Sequence, residues 1–137
     1  MKQRILTICL LNTLVLLQVL GQTVPEGLVE AMGQGNASAM SEYFHQSLEM
    51  SILDEDYECS KNQATRIMQS FFKKHEAREF KVSFEGTKEQ SKYAIGTLST
   101  ADGTFRVNLF FINKEGKRLI YYLSIEKESQ YELIPGP

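Results

Sequence analysis

Cysteine is scarce in this chain of 137 residues: there are two, Cys9 and Cys59. Cys9 falls in an amino-terminal segment expected to be removed, so one thiol remains and no internal disulfide can form. Cys59 is open to three readings: a buried small apolar residue, an intermolecular bridge or a reactive thiol. The first is preferred, because no histidine is near it in sequence and no nucleophile motif surrounds it. Histidine is equally sparse, and His45 and His75 both fall at expected helix ends, so neither is read as a catalyst. His, Cys and carboxylate side chains do not cluster as a metal site requires, and neither metal nor cofactor is expected. The glycines fit turns and bends, not a phosphate-cradling loop. Positive charge is not in excess, with 15 basic against 17 acidic residues and no basic stripe, so nucleic acid is excluded as a partner class. Hydrophobic residues at 42% and charged ones at 23% argue against disorder or a repeat array, and the length allows one domain.

A long hydrophobic run is also missing. Ile5 to Leu20 is apolar but broken by Thr7, Asn12, Thr13 and Gln18, and it is shorter than the roughly 20 residues that span a bilayer. Lys2 and Arg4 precede it and Gly21 closes it, the pattern of a secretory signal peptide over residues 1–21, cleaved after Gly21. Cys9 lies mid-run, preceded by Ile8, so lipidation is not expected. The mature chain is expected to be exported, periplasmic or secreted, with no membrane attachment after cleavage.

What is present is alternation. From Tyr93 to Lys127 three strands are joined by two turns, Thr100-Ala101-Asp102-Gly103 and Asn113-Lys114-Glu115-Gly116. Each turn fits a three-residue loop with Gly in a bulge, pairing Thr100 with Thr104 and Asn113 with Lys117. One face then carries Tyr93, Ile95 and Thr97; Phe105, Val107, Leu109 and Phe111; and Leu119, Tyr121, Leu123 and Ile125. The other face holds Leu98, Phe110, Ile112, Ile120 and Tyr122 among charged residues, a second apolar patch that marks a candidate interface. A slip of one residue in either turn would exchange the faces.

Upstream, Thr23 and Glu26 have capping-box spacing before a short helix ended by Gly33 and Gly35. Asn36 caps a second short helix that carries Met40, Tyr43 and Phe44. Its triplet with Ala37 and Ser38 also fits a glycosylation acceptor, but the cap role suffices. Leu48, Met50 and Ile52 alternate as a strand, and the acidic stretch from Asp54 to Glu58 reads as a solvated loop, since it lacks an EF-hand's spacing. Ser60 with Gln63 opens the clearest helix, whose Ala64, Ile67, Met68, Phe71 and Phe72 form one stripe. Lys73, Lys74 and His75 end it, suiting the macrodipole. Phe80, Val82 and Phe84 make another strand, and residues 86–92 a polar loop. Gly96 fits a kink that curves the sheet.

Helices followed by a meander of strands predict an α+β fold. The pieces resemble a known family in their order and spacing. They are Gly35-Asn36 before a helix ending at Tyr43-Phe44, Leu48-Glu49-Met50, Tyr57 with Ser60-Lys61-Asn62-Gln63-Ala64, Phe71-Phe72-Lys73-Lys74-His75, Phe80-Lys81-Val82, and Lys92 to Leu98. Over residues 24–128 the chain is similar to an uncharacterised exported family of Bacteroidetes-type bacteria, known as a domain of unknown function. It departs at Glu76-Ala77, where such proteins tend to carry prolines. The resemblance implies the cystatin-like cone of the nuclear-transport-factor-2-like superfamily: a curved antiparallel sheet wrapped around one long helix, with two short amino-terminal helices. It implies one domain over residues 22–132 and a short tail at 133–137. It carries no activity and no catalytic residues.

Two functions follow. The first is a non-catalytic binding or self-association module, a homodimer or an envelope protein's partner, using Leu98, Phe110, Ile112, Ile120 and Tyr122. The alternative is a carrier of a small apolar ligand, or a cryptic enzyme, with a cone pocket formed by Tyr93, Thr97, Tyr121, Phe71, Phe72 and Leu123. No carboxylate falls on the inferred core face, and Glu49, Asp54 and Glu85 have no sequence support as a general base.

Overall fold

The computed structural model describes residues 23–128; the expected leader over 1–21 and tail over 133–137 lie outside them. In chain order come α1 (Glu26–Gln34), α2 (Ala37–Met40), one 3-10 turn (Ser41–Tyr43), β1 (Phe44–Ile52), β2 (Glu55–Ser60), α3 (Lys61–Lys74), β3 (Ala77–Lys88), β4 (Ser91–Thr100), β5 (Gly103–Lys114) and β6 (Lys117–Lys127). The fold is α+β: three helices and a curved six-stranded sheet in the order β2-β1-β6-β5-β4-β3. The sheet is not wholly antiparallel as expected, because β1 lies parallel to β6. The polypeptide reaches β6 only after running out through β2, α3 and the meander, so the closing pair shares a direction.

Two helix starts follow their local chemistry. The Asn36 side chain accepts the N–H of Ala39 at 3.0 Å. At α3 the Ser60 hydroxyl accepts the Gln63 N–H at 3.3 Å while Gln63 Oε1 accepts the Ser60 N–H at 2.9 Å, a reciprocal box. The expected box at Thr23 does not form. Pro25 precedes the first helical residue, and Thr23 is buried with its carbonyl accepting from Arg118 Nη1 at 2.6 Å. Gly33 stays helical, and α1 ends at Gly35, whose φ of 67° accommodates the left-handed turn.

The acidic stretch after Ile52 is a strand, not a solvated loop. Leu53 and Asp54 both take positive φ, 49° and 72°, making the two-residue turn that suits a twisted hairpin. Beyond it β2 pairs with β1 as a sheet edge, Cys59 inward and Glu55, Asp56 and Glu58 in solvent. Charge on an edge strand discourages pairing with other chains, and it also hides the alternation.

Turn length decides the faces. The β4–β5 hairpin sets Thr100 opposite Gly103, with Ala101 and Asp102 alone in the loop, instead of opposite Thr104. The Thr100 hydroxyl lies 2.9 Å from Asp102 Oδ1 and 2.7 Å from the Gly103 carbonyl oxygen, its one proton shared between the two acceptors, which ties the tight turn. Every β4 side chain is thereby flipped: Ala94, Gly96, Leu98 and Thr100 face inward, and Tyr93, Ile95 and Thr97 outward. In β5–β6 the loop is Glu115-Gly116, both at positive φ, with Lys114 opposite Lys117. That turns Ile120 inward opposite Phe111. A bulge at Tyr121 then restores the parity, so Leu123 and Ile125 face the core as expected. A further bulge at Ser83, between the Val82–Gly96 and Phe84–Ile95 pairs, turns Phe84 outward. Gly96 itself admits the Phe80 ring, which would stand 2.5 Å from a Cβ there.

α1 packs on β3 and β4, and α3 on β1 and β2. Between helices and sheet one core gathers Leu28, Met32, Met40, Met68, Leu109 and Phe111 with their neighbours.

Candidate functional site

The outer face of β3–β6 carries a row of rings that the core does not include. Phe84 of β3 lies 5.8 Å from Tyr93 of β4, centroid to centroid. Tyr93 stacks on Phe110 of β5 at 5.5 Å and 19°. Phe110 meets Tyr122 of β6 edge-on at 5.7 Å and Tyr121 at 6.1 Å. Such pairs favour offset or edge-on geometry at these separations and contribute about 0.5–1.5 kcal/mol each beyond area burial. Gly86 sits opposite Tyr93, and a Cβ there would lie 2.7 Å from the ring, so the aromatic covers the glycine. The Tyr121 hydroxyl donates to Ser91 Oγ at 3.2 Å. Phe84 is 53% exposed, and Ile95, Ile112 and Leu119 are half-buried on strands of the same group.

Of the interface residues expected from sequence, Phe110, Ile112 and Tyr122 are half-buried outside the core, while Leu98 and Ile120 are both 0% exposed within it. Those two are corrections, each made by a loop one residue shorter than expected. The six expected pocket residues do not line one pocket. Tyr93, Thr97 and Tyr121 belong to the outer side, Phe71 and Leu123 to the core, and Phe72 is half-buried beside Gly35. Phe84 and Ile95 join the outer face unforeseen, since both read as core positions until the Ser83 bulge and the shortened turn are known.

A second arrangement lies at the carboxyl end of α3. His75 is not a free surface residue. Its ring packs 4.8 Å from Phe71 and 4.9 Å from Phe105, its side chain is 19% exposed, and Nδ1 is 2.8 Å from Asp102 Oδ2. The Thr100 hydroxyl and then the imidazole hold the Asp102 carboxyl below the ordinary carboxylate range. The ring also borders a cleft of 270 Å³ lined by Ile52, Tyr57, Ile67, Phe71 and Lys74 among others. The Tyr57 hydroxyl donates to the Glu55 carboxylate, and that bond pushes its pKa up. No sequence signal joins His75 to Asp102, 27 residues apart.

Cys59 is buried, its thiol 3.5 Å from the Leu48 carbonyl, and burial pushes its pKa up, the environment of an inert thiol. Among the described residues no three His, Cys or carboxylate side chains converge as metal ligands, and no helix is long and apolar enough to cross a membrane.

The sequence pattern of one family, described as a domain of unknown function (DUF4783), matches residues 25–126. Among solved structures, a DUF4783 family protein of Bacteroides ovatus is 32% identical with a TM-score of 0.74, over 80% of this chain and 99% of that one. One from Bacteroides uniformis is 33% identical with a TM-score of 0.73, over 78% and 99%. Two distant structures share the fold alone. A cystatin-like domain of unknown function from Nostoc punctiforme is 12% identical with a TM-score of 0.61, over 78% and 74%. An NTF-2-like protein of unknown function from Silicibacter pomeroyi is 15% identical with a TM-score of 0.56, over 75% and 88%. No curated protein matches the chain.

Proposed function

The chain belongs to the DUF4783 family, a domain of unknown function with cystatin-like and NTF2-like structural neighbours, and on that premise we propose that it is an exported, non-catalytic module that binds a second copy of itself through the outer face of its sheet. The row Phe84–Tyr93–Phe110–Tyr122 carries the reading, because contiguous apolar surface on a small domain usually marks an interface. Its size supports a self-pair. Four strands spaced about 4.8 Å apart and about 35 Å long offer roughly 700 Å² of flat face, close to the ~800 Å² per partner of an ordinary interface. Charge supports it too: Arg106 stands opposite Glu126 on neighbouring strands, so the face carries both signs, as a self-complementary two-fold contact requires.

The finer architecture belongs to the same reading. The sheet closes as a cone on α3, whose Phe71 reaches Phe105 of β5 at 5.3 Å, and leaves its outer side to the partner. Export rests on the basic start, apolar run and Gly21 of the leader. The test is sedimentation velocity across the micromolar range. A concentration-dependent dimer that Phe110→Asp reduces to monomer supports the proposal. A wild-type monomer at high micromolar concentration overturns it, leaving a different envelope protein as the occupant to seek.

A further inference from the structure

We propose that the cleft between the β1–β2 hairpin and the end of α3 binds a small apolar carboxylic acid, received by the imidazole of His75. The proposal is independent of self-association, which uses the outer face of other strands.

The ring is oriented before any ligand arrives. Nδ1 is committed to Asp102 at 2.8 Å, and stacking on Phe71 and Phe105 holds its plane. Asp102 is itself held by the Thr100 hydroxyl at 2.9 Å, so its carboxylate accepts from an Nδ1 that carries the proton. His75 borders the cleft and Asp102 does not. Nδ1 is engaged by Asp102, so Nε2, with its lone pair, is the nitrogen left to meet a ligand.

His75 stands at the carboxyl end of α3, the end at which a helix presents its free carbonyls. Asp102 supplies a carboxylate on one side of the ring only. A carboxylic acid entering the cleft completes the other. In the acid form its O–H bond breaks and the proton passes to Nε2. In the carboxylate form, the one such an acid takes in neutral water, Nε2 takes its proton from a buffer acid. Either way a carboxylate ends paired with the imidazolium, the imidazolium still paired with Asp102. Lys74, in the last turn of α3 and on the same cleft, adds a second positive charge. The remaining carboxylate of the lining, Glu55, is occupied by the Tyr57 hydroxyl. Ile52, Ile67 and Phe71 give the cleft its apolar wall, which an aliphatic or aryl body would cover.

Volume sets the size of the ligand. At about 30 Å³ for each water-sized group, 270 Å³ holds about nine non-hydrogen atoms, one short of octanoate, whose end reaches the open mouth. That probe, with octanol and octylamine as neutral and cationic counterparts, makes the test. Calorimetry and ¹⁵N spectra of the His75 ring are recorded together. Octanoate is expected to bind about tenfold or more tighter than octanol, as a charge-assisted contact should, and to move Nε2 to its protonated shift. His75→Gln is expected to erase that preference, Asp102→Asn to weaken it, and Phe110→Asp to leave it intact. Equal binding of octanoate and octanol, an unmoved His75 signal at millimolar octanoate, or undiminished octanoate binding by His75→Gln would overturn the proposal. The wild-type comparison of the probes decides even if His75→Gln does not fold.

Discussion

A single methyl group at Gly96 separates the two hairpin registers. With Thr100 opposite Gly103, Gly96 faces the core across from Val82, and a Cβ there would lie 2.5 Å from the Phe80 ring and 2.8 Å from the Lys81 carbonyl oxygen. The ring can swing aside, but the carbonyl belongs to the neighbouring strand. Overpacking of this kind costs about 1–3 kcal/mol. Against it stands a gain of about 0.5–1 kcal/mol from the lower unfolded-state entropy of Ala. Gly96→Ala is therefore expected to lose about 1–2 kcal/mol, read from the urea midpoint at an unchanged m-value. Phe80→Leu relieves the ring contact but not the carbonyl, so the double variant should lose less than the sum of the singles. In the three-residue-loop register Gly96 points outward, where a methyl group is harmless. A neutral or stabilising Gly96→Ala would refute the turn assignment, and with it the placement of Tyr93 and Ile95 outside.

The same sorting predicts opposite consequences for two aliphatic residues. Leu98→Ala, at a fully buried position, should cost about 2–5 kcal/mol. Ile112→Ala, half-buried, should stay within about 1 kcal/mol in the monomer and act on association instead. The Asp102 carboxyl, lowered by Thr100 and His75, contributes stability that is fully present above the ordinary carboxylate range. That contribution is lost as pH falls through its lower folded value. Urea titrations at successive pH values should show wild type and Asp102→Asn converging toward acid; a gap unchanged across that range would contradict the assignment.

Legibility followed the range of the interaction. The α3 cap is written in Ser60 and Gln63, three residues apart, and β5 in the alternation of Phe105, Val107, Leu109 and Phe111, all buried. The family and the α+β class were legible because they need only order and spacing. The faces of β4 and of the start of β6 were not, because they hang on one residue of loop. A hydroxyl of Thr100 closing on Asp102 and Gly103 makes that choice, and the loop composition fits either length. Phe84 continues the pattern of Phe80 and Val82 until the bulge at Ser83 breaks it. β2 hides behind its own exposed acidic side chains. The pairing of His75 with Asp102 is set by the packing of α3 near the β4–β5 turn, a tertiary event with no local trace. Tyr93 and Thr97 left the expected pocket for the same reason that Leu98 and Ile120, two of the five expected interface residues, left the outer face, since all four were placed from the wrong register.

The most direct test of the outer face is a dilution series followed by aromatic and methyl NMR from millimolar to low micromolar concentration. Shifts confined to Phe84, Tyr93, Ile95, Phe110, Ile112 and Tyr122, following one dimerisation isotherm, are the expected result. Shifts centred on α1 or α3, or an unchanging spectrum at millimolar concentration, would contradict it.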